Sequence, residues 1–257
     1  MRTFVADTYH LFLRYMRTTL RLPIWIAVTL VQPVIWLFLY GQLFRRIVDL
    51  PGFGVDSYIQ HLTPGVVIMT AMFGSAWAGM SLIRDLDEGI MDRLLSTSVH
   101  RGAIIAARVT HAAVTVGVQS MIILVMGLIL GARIDGGLPG VLAIMALAFL
   151  LGAAFSAMSN GVALLARREE TLIAIINFFG LPLVFISTAF IAAELMPGWI
   201  RTASEFNPVN WAIIGSRSAM QGDDWLIVAQ YTALLLAFVV VCSFFATRAF
   251  RVYQRAA

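Results

Sequence analysis

The chain has 257 residues, 60% of them hydrophobic and only 12% charged, with a mean hydropathy of +0.86, whereas soluble domains run at about 45–50% and about 25%. That balance excludes an ordinary water-soluble domain, and the net charge of +4 is read as orientation in a lipid membrane, with no nucleic acid expected as a partner. The single cysteine, Cys242, can close no internal disulfide and holds no metal alone.

Residues 4–20 interleave Phe4, Leu11 and Tyr15 with Arg14 and Arg17, a pattern that suits an interfacial helix within 1–23, lying along the membrane surface. Six apolar runs follow, at 24–44, 62–83, 103–131, 138–166, 171–193 and 225–247. Each is long enough for the roughly 20 residues that cross about 30 Å of hydrocarbon. Strands of a barrel would alternate over about ten residues; unbroken runs such as LLLAFVVVCSFFA point to helices. The third and fourth runs exceed the need, so their ends are expected to project or tilt.

Segment 194–224 is too long for a turn and too apolar for an exposed loop. Its Asn207 and Pro208 form a helix-start signal, an N-cap followed by proline at the first helical position. Two short outer half-helices that dip into the membrane are expected here. With the N-terminus in the cytoplasm, thirteen arginines fall in inner segments and five in outer ones, which follows the positive-inside bias. The expected fold class is therefore all-α: one polytopic domain over 1–257 with six transmembrane helices, both termini cytoplasmic, in the cell membrane.

Between the second and third runs stands RDLDEGIMDRLLSTSVHRG, where Arg84, Asp85, Asp87, Glu88, Asp92, Arg93 and Arg101 concentrate the charge. Taken as a helix over 84–97, it aligns Leu86, Ile90 and Leu94 on one stripe and Asp85, Glu88 and Asp92 on another face. Glu88 and Asp92 would repel at i, i+4, and Gly89 would cost about 1 kcal/mol relative to alanine. Two readings stand at this point. One is a solvated helix with Arg84 paired to Glu88, and the other is a docking element whose acidic ridge and Arg93 meet a soluble partner.

Six spans with both ends inside, the loop DEGIMDRLLSTSVHRG after span two, and Asn207-Pro208 before the last span together resemble the membrane subunits of type-2 ATP-binding-cassette exporters. In that family an acidic residue, a glycine and then a leucine pair mark a cytoplasmic coupling helix that enters a groove of a separate ATPase subunit. Glu88, Gly89, Leu94 and Leu95 match that pattern, and Ser98 stands where members often have proline. The resemblance implies two ABC ATPase subunits as partners, with ATP and Mg bound there and no cofactor on this chain, and a second identical or related permease chain. It further implies that the N-terminal helix touches the ATPase through Arg14 and Arg17.

The remaining residues bear on what is moved. No GxxxxGK[ST] phosphate loop occurs, so the chain is not expected to be an enzyme and its energy source must lie elsewhere. The central parts of the runs carry no Asp, Glu, Lys or Arg, which argues against a proton-coupled carrier. His10, His61, His100 and His111 are scattered, and no metal site is expected. Gln119, Asn160 and Asn177 are the polar residues within spans; each is read first as bonding a neighbouring helix and second, with Phe178 and Phe179, as lining a substrate path. The compound moved is expected to be amphiphilic: a drug, lipid or glycolipid. An ATP-independent carrier or channel, and a structural subunit that moves nothing, are the competing functions.

Overall fold

The computed structural model describes residues 2–21, 23–49, 57–90, 93, 96 and 101–256, and no strand occurs among them. The chain opens with α1 (Arg2–Leu20), which packs along α5 (Arg101–Ile129). Leu11 and Tyr15 turn toward the bundle, and Val5, Tyr9 and Leu20 remain exposed. Helix α2 (Pro23–Ile35) carries Pro33 inside it and passes into a π-turn at Trp36–Tyr40. Proline removes an i→i−4 hydrogen bond and π-bulges widen the ladder, so the run bends.

Among the described residues, four helices or helix pairs are long and apolar enough to cross a membrane: Tyr58–Asp87, Gly102–Ile129, Gly137–Ala166 and Trp225–Arg251. The first of the six runs expected from the sequence is helical from Pro23 through the π-turn to Leu43. The fifth is α7 (Glu169–Phe185), whose 17 residues rise about 26 Å, a little less than the hydrocarbon thickness.

The second run is broken in a way its composition conceals. Helix α3 (Tyr58–Ala76) ends at Trp77, and α4 (Ala78–Asp87) resumes at once. The turn at Trp77 frees the Gly79 amide and the Ala76 carbonyl from the helical ladder. Ser159 of α6 (Gly137–Ala166) takes both, accepting from the Gly79 N–H at 3.0 Å and donating to the Ala76 oxygen. A Cβ on Gly79 would lie 2.6 Å from the Ser159 carbonyl oxygen, so the helices meet backbone to backbone here. Ser159→Ala strands two buried polar groups, and a loss of about 1–3 kcal/mol is expected. Thermal unfolding in detergent checks this; an unchanged midpoint would mean the break is satisfied another way.

Helix α6 is the central post, packed against α3, α4, α5, α9 (Pro208–Gln221) and α10 (Trp225–Ala256). Gly152, Ala153, Ala154, Ser156 and Ala157 are buried along it, and such small residues allow close helix approach. The main core gathers Leu62, Ile68, Met72, Ile144, Leu147 and Ile213. A second core lies near Arg84 and joins Leu11, Leu82, Ile83, Ile104, Leu164 and Leu172. Helix α8 (Gly198–Glu205) and α9 occupy the segment between α7 and α10.

Candidate functional site

Helix α4 carries the charged segment out of the bundle, and the structure divides those charges into two sets. Asp85 is half-buried and pairs with Arg108 of α5, a residue only 4% exposed. Arg108 also donates to Ser81 Oγ at 3.0 Å and lies 4.8 Å over the Tyr15 ring of α1. Burial raises the Tyr15 phenol above its ordinary value of 10, with the charge of Arg108 opposing. Arg84 bonds Glu169 at the start of α7 at 3.0 Å; the i, i+4 pairing with Glu88 considered from sequence is replaced by this link across helices. Arg84 and Asp85 thus fasten α4 to α7, α5 and α1.

Asp87 and Glu88 are exposed beyond those anchors. The expected single helix over 84–97 is interrupted between them and Ile90. Glu88 caps α4 with φ −81° and ψ 0°, and Gly89 adopts a positive φ of 66°. Only glycine enters that left-handed region without strain, so Gly89 ends one helix and its helix-interior cost does not arise. The Arg93 amide then bonds the Gly89 carbonyl at 3.3 Å, and the Arg93 side chain is exposed. The stripes drawn through 84–97 cannot run straight across this turn. Asp92, Leu94 and Leu95 lie outside the described residues. Arg14 and Arg17 are exposed on α1, which meets α5 through Thr19 Oγ1 and His111 Nε2 at 2.8 Å.

A second polar constellation sits at the opposite end of the bundle. Asn207 caps α9 by accepting from the Val209 N–H at 2.9 Å, and its amide donates to the carbonyls of Leu183 at 2.6 Å and Ile186 at 2.9 Å. Those carbonyls belong to the last turn of α7, which is why that helix stops short of residue 193. Pro208 occupies the first turn of α9. Asn210 accepts from the Thr188 N–H and hydroxyl, and Arg217 donates to the Thr188 carbonyl at 2.9 Å and the His61 carbonyl at 3.3 Å. Thr188 and Asn210 have no role legible in the sequence, and Arg217 counts there only as one of the five outer arginines; the repeat of asparagine at positions 207 and 210 is the available signal. Removing the Asn207 amide by Asn207→Ala deletes a cap and two tethers, with an expected loss of about 2–4 kcal/mol. Faster hydrogen exchange at residues 183–192 checks it, and unchanged exchange there would contradict it.

The polar residues proposed for a substrate path do not converge. Gln119 donates to Thr29 Oγ1 at 2.8 Å, beside a small cavity between α2, α3 and α5. Asn160 is buried and donates to the Ser156 carbonyl one turn back. Asn177 is exposed and bonds the Ile173 carbonyl of its own helix. Phe178 is 73% exposed, whereas Phe179 lines an apolar cavity between α7 and the bundle, in whose wall Phe178 takes no part.

Residues 7–220 match the family profile described as ABC-2 type transporter. The chain is 30% identical over 228 residues to a protein named as a transport permease, ycf38, of Cyanophora paradoxa, covering 87% of this chain and 77% of that one. It is 27% identical over 218 residues to the daunorubicin resistance ABC transporter permease protein DrrB1 of Streptomyces coeruleorubidus, covering 84% and 75%. To the inner membrane transport permease YadH of Escherichia coli (strain K12) the identity is 26% over 246 residues, covering 85% and 87%. With four helices of membrane-crossing length among the described residues and a match running from α1 to the end of α9, the chain belongs to the ABC-2 type transporter family as a multi-pass membrane protein.

Proposed function

We infer that the chain is the permease subunit of an ATP-binding-cassette exporter, and that a separate ATPase subunit grips it at the segment following α4. The observation that carries this is the division of charge at residues 84–93. Arg84 and Asp85 are spent on anchoring bonds, while Asp87, Glu88 and Arg93 stand exposed past the last anchor. A charged tip held on a rigid, anchored helix transmits a push, whereas a free loop absorbs one. Asp92, Leu94 and Leu95 follow within the same grip, with Gly89 as the turn that aims it.

In this reading the chain crosses the membrane six times, residues 23–43 forming the first crossing and α7 being the shortest. The Arg84 end faces the cytoplasm, as the arginine bias requires, and both termini lie there. On α1 the spacing of Val5, Tyr9, Leu13, Met16 and Leu20 sets one apolar face toward lipid. Arg14 and Arg17 lie on a different face, turned to headgroups and the ATPase. Asn207 and Pro208 open the outer re-entrant helix. Two permease chains and two ATPases form the working unit, ATP and Mg residing on the ATPases, in the cell's inner membrane. The compound exported is amphiphilic, a class that includes the drug in the name of the Streptomyces relative.

Proteoliposomes test the function. Transport by the permease with its ATPase is expected only with ATP, and none by the permease alone. Movement without ATP would make it a carrier or channel, and a complex that hydrolyses ATP but moves nothing would make it a structural subunit.

A further inference from the structure

Between α7 and the rest of the bundle lies a cavity of about 540 Å³, walled by α3, α6, α7 and α10. Its volume falls within the range of small-molecule pockets. Phe73, Phe155, Phe179, Phe238 and Phe245 line it. Ser159 is the only hydroxyl in that wall, and its oxygen is already engaged by Gly79 and Ala76. No wall residue carries charge.

Helix α7 is held to the bundle at its two ends. Arg84 takes Glu169 at one end, and Asn207 takes the Leu183 and Ile186 carbonyls at the other. Along its length only Leu172, Ile176, Gly180 and Val184 are buried, one residue per turn. The cavity opens between these two attachments. Gly180 lets the Phe73 ring lie against the helix, since a Cβ there would stand 3.3 Å from that ring. On α6 the lining positions, 155–162, fall in the half of the helix nearer Arg84, which is the inner-leaflet half in the orientation above, and on α10 they lie around the middle, at 238–245.

We propose that this cavity, inside a single permease chain, binds the fused-ring aromatic body of the exported compound and leaves the compound's polar groups outside. Five phenylalanines on four helices offer faces and edges, which attract aromatic rings in offset or edge-to-face arrangements. A flexible acyl chain gains nothing from rings over leucines. The wall offers no charge and, besides the weakly donating Cys242 thiol, no free donor, which rejects an ionic headgroup, because burying one unpaired is costly. The word "exported" rests on the function proposed above; binding itself does not require it.

The test is binding of daunorubicin, a fluorescent fused-ring compound, to the purified full-length permease in phosphatidylcholine nanodiscs, read by fluorescence anisotropy. Saturable binding is expected. Phe179→Ala and the cavity-filling Gly180→Leu each weaken it about tenfold, as expected when a principal ring contact is lost or the space is occupied. Leu181→Ala, on the exposed side of α7, leaves it unchanged. Ala76→Leu fills the cavity from α3 and guards against a misfolded α7 variant, with monodisperse elution required of each. Absent saturable binding, equal weakening by Leu181→Ala, or displacement by oleate as readily as by unlabelled daunorubicin analogues would overturn the assignment. No ATP or ATPase is present, so a failure here is separate from a failure of ATP-driven transport.

Discussion

Glu88→Arg is expected to abolish ATP-driven transport while the permease still inserts and folds. The Glu88 side chain is exposed, and its backbone amide is what secures the end of α4, bonding the Arg84 carbonyl at 2.9 Å. An exposed substitution of this kind changes stability by about 0.5 kcal/mol or less. At a charged interface the same reversal sets like charges together, which costs several kcal/mol. At about 1.4 kcal/mol per tenfold, the ATPase would be released or uncoupled by two or more orders of magnitude. Transport and stimulated ATP hydrolysis in proteoliposomes, with membrane fractionation as the control, measure it. Wild-type coupling in the variant would contradict the assignment of Glu88.

Asp85→Ala, three residues earlier, is expected to fail in the opposite way. It leaves the guanidinium of Arg108, 4% exposed, without its carboxylate. Breaking one side of a buried pair costs about 3–5 kcal/mol, and the Tyr15 ring at 4.8 Å supplies too little to replace it. Detergent-solubilised protein should unfold at a lower temperature, and α1 should become more open to protease because Tyr15 and Arg108 join it to α5. The double variant Asp85→Ala/Arg108→Met should recover most of the loss, since no unpaired charge remains. A double variant as unstable as the single one would show that the pair is not the cause.

The contrast between these neighbours shows where the sequence was legible. The runs that became α5 and α6 were placed within about two residues of their ends, because length and hydropathy are properties of the run alone, whereas α10 continues past its run to Ala256. Asn207 as an N-cap was equally local, its partner being two residues away. The turn at Trp77 was invisible because the group that satisfies it, Ser159, is about eighty residues distant. Periodicity drew one helix through 84–97 because a hydropathy pattern does not register the positive φ at Gly89. Asp85 and Glu88 looked alike in sequence; only the position of Arg108 separates an anchor from an exposed acid. The shortened α7 likewise follows from Asn207 taking its last carbonyls.

The cross-linking of position 88 to the ATPase tests the account most directly. Cys242 is the one cysteine and is buried, so a Cys242→Ser background carrying Glu88→Cys reports a single site. A benzophenone maleimide attached to Glu88→Cys, which on irradiation inserts into nearby C–H bonds, should join that position to the ATPase subunit in membranes, and Asp87→Cys likewise, whereas Gln221→Cys, exposed at the end of α9, should give no product. Absence of any ATPase adduct at 88, or labelling of that cysteine by a membrane-impermeant reagent added outside intact cells, would contradict the assignment of this tip as the motor's point of grip.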